Sequence, residues 1–573
     1  MDRIVSRSLV AGCERVAAWA DLLDAINVFP VADGDTGRNL KISLAPLIGS
    51  NAASDRLPQM LIESATGNSG NIAAAFFSRF LEQAAPGKLG ACIAAGRKAA
   101  WQSLADPKPG TMLTVFDALA RISEKWPADI AGGHANAAIE KLDAAVRSTT
   151  ELLPELNRAG VVDAGALGLF IFFEGFFHRL AGERMSMPPV TERFDGLLTV
   201  SDAIDGGQFS GYCVNTTLRT RQAVQWSSAA EGLGESVVAV ADGDRLRLHL
   251  HTQDHREVRE KLERLGEIVD WQVDAMIDDS PPPSAVAGPH TVHIMTDAAG
   301  SLTREEARTL GVTLLDSHLV VGNRSVPETL LDPRELYAAM ADGRPVSTAQ
   351  ASVFQKRQSY ESVLGQYGHV LYLSVGSVYT GNYRTACQWQ EENGHGDRFT
   401  VIDTGAASGR LGLIVQQVAQ AAKSGRTHED LLPLAHRTVE NCDELVFLDQ
   451  LKFLAAGGRI SKSKGFFGDL IGIKPVIRPT AEGAARAGTV RKASEQVLFA
   501  VRYLKQRYPS NARLTILLQF SDNEQRVRER IRPEIERQFP EAHIEVTRLS
   551  LTSGAHMGPG TWAVAFCPQM TVA

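Results

Sequence analysis

Residues 27–40, Asn-Val-Phe-Pro-Val-Ala-Asp-Gly-Asp-Thr-Gly-Arg-Asn-Leu, set two carboxylates, Asp33 and Asp35, one glycine apart after a helical stretch and a turn fixed by Pro30. Two hard oxygen ligands that close repel each other unless a cation lies between them. Mg²⁺ shared with a nucleotide phosphate is the common solution. The same Asp-Gly-Asp triplet also makes an ordinary solvated turn, as at Asp242, Gly243 and Asp244. Its reading therefore depends on its surroundings. Gly67-Asn68-Ser69-Gly70-Asn71 precedes a helical pattern, so its N–H groups and the positive end of the helix dipole suit a phosphate. Pro109-Gly110-Thr111 and Val162-Asp163-Ala164-Gly165 also stand at helix starts. Plain N-capping accounts for each of these equally well.

Outward from these loops, residues 1–187 have one texture. Leu9, Cys13, Val16, Ala20 and Leu23 recur at three and four residues and put an apolar stripe on a first helix. Ala-rich segments with the same period follow, separated by the polar and glycine-containing breaks, and Pro188-Pro189 closes the series. The prediction is an all-helical domain over residues 1–189. Its greasiest segment, residues 167–177, contains Glu174 and falls well short of the roughly 20 apolar residues needed to cross a bilayer, so it reads as a buried helix.

Residues 190–277 change to alternating strands plus one helix over residues 256–265, a small α/β domain. Residues 237–240 and 246–250 flank the Asp242–Gly243–Asp244 turn and predict a hairpin. On the second of these strands, His249 and His251 share one face and the leucines the other. Two imidazoles so placed can share a Zn²⁺ if a third ligand approaches, and Cys213 lies on another expected strand; a solvated strand face is the plainer account. Residues 278–290, with Pro281-Pro282-Pro283, read as a linker. Beyond it, runs at 292–295, 370–373, 400–402, 445–448, 514–517, 544–546 and 563–565 alternate with helical patterns. They predict a mostly parallel sheet covered by helices over residues 291–573.

The 573 residues suggest roughly three domains. A net charge of −7 with no long Lys/Arg run argues against sequence-independent nucleic acid binding. Six scattered cysteines fit reduced thiols rather than a disulfide framework, and charges interrupt every apolar stretch of the N-terminus, so a cytoplasmic protein is expected.

The ordered motifs NVFPVADGDTGRNL, GNSGN, PGTMLTV and VVDAGALGL resemble the DhaL-like nucleotide-binding domain of dihydroxyacetone kinases and, more closely in wording, of bacterial fatty acid kinase. The resemblance implies a barrel of eight antiparallel helices binding ATP and Mg²⁺. It places Mg²⁺ on Asp33 and Asp35, with Asn27 near the position of a further ligand. Thr36, Asn39, Asn68, Ser69, Gly70, Gly110, Thr111 and Asp163 would surround the nucleotide. GYC at residues 211–213 followed by HLHTQD at 249–254 resembles the middle domain of fatty acid kinase, implying Zn²⁺ on Cys213, His249 and His251 in a structural role.

From residue 291 onward, MTDAAGSL, STAQAS, TGNY, VIDTGAAS, LKFLAAGGRIS, IKPVI and GAHMGPG resemble the DegV family of fatty-acid-binding proteins. Arg459 behind two glycines and His556 among small residues are cations on permissive loops suited to an anion, although an isolated surface cation is the bland account. The resemblance implies that they grip an acyl carboxylate with Thr348 and Ser377. Ala298, Ala349 and Gly376 stand where family members usually carry hydroxyls, so altered head-group contacts are expected.

Together these readings imply ATP-dependent phosphorylation of a fatty acid to an acyl phosphate, with Asp33, Asp35, Arg459 and His556 as the catalytic set. They further imply a homodimer, an acyltransferase that uses the acyl phosphate, and at most transient membrane contact. A dihydroxyacetone-type kinase and a non-catalytic lipid-binding regulator are the alternatives.

Overall fold

The structure, a computed structural model, describes residues 3–49, 55–82, 88–124, 126, 132–183, 185–201, 211–220, 232–276, 292–322, 324–456 and 474–569. It divides into two compact units, Met1–Val286 and Ala287–Ala573. The division falls inside the stretch expected to be a linker.

The first unit begins with helices wound around an apolar centre. The helix Arg3–Ala18 buries Leu9, Cys13 and Val16, the stripe expected from their spacing. It packs along the helix Ala164–Leu180. Two glycines allow the close approach: a Cβ on Gly12 would stand 2.7 Å from the Phe172 carbonyl oxygen, and one on Gly175 would stand 2.8 Å from that of Ala11. Ala164–Leu180 is buried on every side, and Phe76 stacks on Phe116 at 4.2 Å beside it. The only charge in its middle, Glu174, is paired with the buried Arg15 and lies 3.5 Å from Arg193. This is the buried helix predicted for the segment. Among the described residues no helix is long and apolar enough to cross a membrane.

The helical packing runs on past Pro188-Pro189. Val190 and Phe194 join the helical core, and the Ser201 N–H donates to the Ala159 carbonyl at 3.0 Å.

The sheet of this unit comprises β1 (Gly211–Arg219), β2 (Glu235–Asp242), β3 (Arg245–Thr252) and β4 (Glu267–Met276), antiparallel in the order β2-β3-β1-β4. The hairpin β2–β3 turns at Gly243, whose φ of +60° a glycine adopts without strain. Leu246, Leu248 and Leu250 face the helix His255–Leu265 and its Val258 and Leu262. The opposite face meets the helical part where Val240 packs with Ile62 and Ala75, and the edge of β2 pairs with it: the Ala239 N–H donates to Ser103 O at 2.7 Å and Ala105 N–H to Val237 O at 3.2 Å. Val238 enters the helical core.

The second unit contains β5 (Val292–Asp297), β6 (Val312–Leu315), β7 (Ser317–Val321), β8 (Arg324–Pro327), β9 (Val346–Gln350), β10 (His369–Ser374), β11 (Phe399–Asp403), β12 (Asp443–Phe447), β13 (Lys474–Thr480), β14 (Gly483–Val490), β15 (Leu514–Phe520), β16 (His543–Arg548) and β17 (Trp562–Pro568). Each predicted run is a strand, but the expected single, mostly parallel sheet is corrected to three sheets. One is parallel, β11-β10-β5-β6. The six-stranded sheet β14-β13-β12-β17-β15-β16 is mainly antiparallel, with only β15–β16 parallel, and β8-β7-β9 is antiparallel. The two residues between β13 and β14 permit only an antiparallel return, and β17 inserts between β12 and β15 against both. The helix Ser408–Lys423 packs on β5 of the parallel sheet and on β15 and β17 of the six-stranded sheet.

Candidate functional site

Pro30 and Gly34, the latter at φ +63°, turn the chain so that Asp33 and Asp35 precede the helix Thr36–Leu44. Asp24, a residue the sequence did not single out, caps that helix: its Oδ1 accepts the Gly37 N–H at 2.6 Å and the Arg38 N–H at 3.1 Å. Asn27 Nδ2 donates to Asp33 Oδ1 at 2.6 Å and to Val31 O at 3.3 Å, which orients the carboxylate. Burial, then the charge of Asp35, pushes the Asp33 carboxyl up to about 8. Two acidic groups held in this way suit a divalent cation, whose charge would relieve the repulsion and favour both ionised forms.

The GNSGN segment, expected as a loop ahead of a helix, is instead the first turn of the helix Gly67–Glu82, and it packs against the same helix Thr36–Leu44. Gly67 has φ +63°, and a Cβ there would stand 1.8 Å from Asn39 Nδ2, while one on Gly70 would stand 2.1 Å from Ser43 Oγ. Ser69 Oγ donates to Thr36 O at 3.2 Å, so Thr36, Asn39, Ser69 and Gly70 converge beside Asp35. Asn71 Nδ2 donates to Gly67 O at 2.7 Å, whereas the Asn68 Oδ1 is buried without a hydrogen-bond partner among the described residues.

The other two loops carry the capping expected of them. Thr111 Oγ1 accepts the Leu113 N–H at 3.4 Å, and the Gly110 N–H donates to Thr114 Oγ1 at 2.8 Å. Asp163 Oδ1 accepts the Ala166 N–H at 2.7 Å, and burial pushes its carboxyl up to about 7.

Cys213 lies opposite His251 in the β1–β3 register, and Asn215 lies opposite His249. The ligand atoms of Cys213, His249 and His251 lie within 4.8 Å of one another. Both histidines are 1% exposed, which rules out the solvated-face account. His249 Nδ1 stands 3.0 Å from Asn215 Oδ1 and 3.8 Å from Cys213 Sγ. Its Nε2 is buried without a hydrogen-bond partner among the described residues, so the ring offers a nitrogen that no protein donor or acceptor occupies. Burial drives His249 well below its usual range and lowers His251, which keeps both rings neutral. Burial pushes the Cys213 thiol up to about 12, with the charges of Asp35, Asp274 and Asp33 adding to it. A thiol and two neutral imidazoles in this arrangement fit a tetrahedral cation with a position to spare, since the cation would take the thiolate. The sequence treated the acidic loop and this trio as separate sites; the helix Gly67–Glu82 packs against both the helix Thr36–Leu44 and the strands β2 and β3, and the charge of Asp35 acts upward on both Cys213 and His251.

In the second unit Thr348 Oγ1 stands 3.2 Å from His556 Nε2, so β9 and the helix Leu551–Met557 bring together two residues that lie 208 apart in the chain. Glu328, which no local pattern marks, fixes that helix: its carboxylate accepts the Thr552 N–H at 2.8 Å, Thr552 Oγ1 at 2.7 Å and Ser317 Oγ at 2.7 Å. Ser377 lies on the loop after β10, where its N–H donates to Asp403 Oδ1 at 2.9 Å. Ala298 is buried after β5, and Ala349 is exposed on β9. Arg459 lies outside the described residues.

Family models match three successive parts of the chain: the DAK2 domain at residues 30–178, the fatty acid kinase-like middle domain at 210–281, and the DegV family at 291–569. Protein YloV of Bacillus subtilis is 27% identical over 306 residues, 48% of this chain and 55% of that protein. An uncharacterised protein of Staphylococcus saprophyticus is 27% identical over 309 residues, again 48% and 55%. The chain thus spans about half the length of the curated relatives it matches. Among solved structures, a fatty-acid-binding DegV family protein from Thermus thermophilus is 23% identical, covering 48% of this chain and 99% of that one, with a TM-score of 0.46. DegV from Bacillus subtilis, a fatty acid binding protein, is 17% identical, covering 49% and 100%, with a TM-score of 0.45.

Proposed function

We propose, for a chain that carries a DAK2 domain, a fatty acid kinase-like middle domain and a DegV domain in that order, that it transfers the γ-phosphoryl group of ATP to a fatty acid carboxylate held by the DegV domain. The observation that carries this reading is that, inside one compact unit, the helix Gly67–Glu82 packs both on the helix that follows Asp33 and Asp35 and on the strands β2 and β3, the latter bearing His249 and His251. A lone capping turn has no need of two buried imidazoles and a half-buried thiol in the same unit.

Asp33 and Asp35 would hold Mg²⁺, with Asn27 keeping Asp33 in its rotamer. Bound there, Mg²⁺ supplies charge that offsets the phosphates and the transferring phosphoryl group. Cys213, His249 and His251 would hold Zn²⁺. Thr36, Asn39, Asn68, Ser69 and Gly70 line the approach to the acidic pair, while Gly110, Thr111 and Asp163 shape the helix starts around it. The acceptor carboxylate is already ionised near neutral pH, so no general base is required. Thr348 and His556, with Arg459 and Ser377, would orient it. One P–O bond forms to the carboxylate oxygen, the bond from the γ-phosphorus to the β,γ-bridging oxygen breaks, and ADP leaves.

Carrying the acyl chain on the same polypeptide, or across a homodimer, raises the effective concentration of the acceptor. The product, an acyl phosphate, suits an acyltransferase. The test is ADP release from Mg·ATP by the full chain with and without added fatty acid, together with mass spectrometry of ligand retained through purification. A retained acyl chain and lipid-stimulated turnover are expected. Turnover stimulated by dihydroxyacetone instead, or neither lipid retention nor lipid stimulation, defeats the proposal.

A further inference from the structure

Arg247 occupies the same face of β3 as His249 and His251, two and four residues before them, and like them it is buried, at 8% exposure. Its guanidinium gathers contacts from three places. Nη1 donates to Thr217 Oγ1 on β1 at 3.0 Å and to Asp270 Oδ2 on β4 at 3.1 Å. Nη2 crosses to the helical part and donates to the Ala65 carbonyl at 3.2 Å. Ala65 is itself fully buried and stands two residues before Gly67, where the chain passes through φ +63° into the helix Gly67–Glu82. The adjoining Thr66 N–H is taken by Ser43 Oγ at 3.1 Å. Both sides of this turn are therefore held by named donors and acceptors. The contact that comes from the sheet is a planar, charged fork anchored by two strands.

We propose that Arg247 is a positioning residue that holds the Ala65–Thr66–Gly67 turn, and with it the first helical turn over residues 67–71, in register with the Cys213, His249 and His251 cluster. Its consequence for nucleotide binding rests on the function proposed above; its effect on the turn does not. The neighbouring pair Arg245–Glu63, 3.4 Å apart, spans the same boundary, yet both side chains are about half exposed. Such a pair contributes little, which makes it the internal control.

The experiment uses the full chain and two readouts: hydrogen exchange of the backbone amides at residues 66–71 without nucleotide, and the affinity for Mg·ADP. In Arg247→Met these amides exchange roughly tenfold faster or more, the weight of one charged hydrogen bond, and Mg·ADP binding weakens by a similar factor. Amides of the helix Arg3–Ala18 keep their protection. Arg247→Lys, which can reach fewer of the three acceptors, falls between, and Arg245→Gln matches the parent. If Arg247→Met fails to fold, Arg247→Lys is read in the same way: faster exchange confined to residues 66–71 supports the proposal, and uniform change across the first unit overturns it. Unchanged exchange of these amides in Arg247→Met also overturns it. Should the parent chain bind no Mg·ADP, the proposed function fails, while the exchange comparison still decides the role of Arg247.

Discussion

Asp33, Cys213 and Glu444 are all acidic groups pushed upward by loss of water, yet only Glu444 is fully buried and they stand in different relations to the rest of the protein. Asp33 and Asp35 add to the rise of the Cys213 thiol, so a cation bound at either place would lower it. With Zn²⁺ replaced by Co²⁺, the parent chain should show thiolate-to-cobalt absorption in the near ultraviolet, and Cys213→Ser should lose it; equal spectra would remove Cys213 from the ligand set. Among the described residues, the hydrogen-bond partners of Glu444 are neutral: Gln519 Nε2 at 2.7 Å, the N–H groups of Gly409 and Arg410, each at 3.2 Å, and the Ser408 hydroxyl. Burial pushes it up to about 7 from an ordinary value of 4.5. The folded form therefore binds the proton more tightly, so this contribution to stability is complete below pH 4.5 and is lost as pH rises through about 7. Urea midpoints of the parent should fall between pH 5 and pH 8 relative to those of Glu444→Gln; parallel curves would refute the shift. Asp33 was legible because its carboxylate partner and glycine lie beside it in the chain. Glu444 was not, because Gln519 lies 75 residues away.

Among the elements, the helix Gly67–Glu82 explains why a glycine-rich stretch was easy to find and why it proved to be a helical turn rather than a loop. Its glycines suit a phosphate, but they also sit where another helix leaves no room for a side chain. In Gly70→Ala the new methyl would meet Ser43 Oγ at 2.1 Å and Asn39 O at 3.1 Å. A loss of about 1–3 kcal/mol is expected, with part of it recovered in the double variant Gly70→Ala/Ser43→Gly. Full additivity in a urea double-mutant cycle would show that the two positions do not meet. Glu328 acts on another element, holding the helix that carries His556. Glu328→Ala should weaken binding of a fluorescent fatty acid by roughly tenfold, consistent with the loss of hydrogen bonds to a charged group, and retained affinity would remove it from the site. Strand positions in the second unit were legible from their β-branched and Leu-rich runs, since burial on both faces imposes that composition. Partners and directions were not, because nothing in a strand's own residues says that β17 inserts between β12 and β15.

For the whole molecule, the separation into Met1–Val286 and Ala287–Ala573 predicts that ligands act on one unit at a time. In calorimetry of the full chain, a fatty acid should raise one transition and Mg·ADP the other, because each ligand stabilises the folded form that binds it. A common shift of a single transition would show that the units unfold as one. The chain's own order of residues determined three successive textures, the strand and helix runs within them, and the local chemistry of the acidic loop and the histidine pair. These depend on spacings of two to four residues, which a linear pattern carries directly. Only the tertiary structure decided that the helical part and the small sheet form one unit, that the acidic loop and the Cys213 cluster share one electrostatic environment, and that Arg247 reaches Ala65. Those outcomes rest on contacts between residues more than a hundred positions apart, and such contacts are set by which buried faces exclude water together.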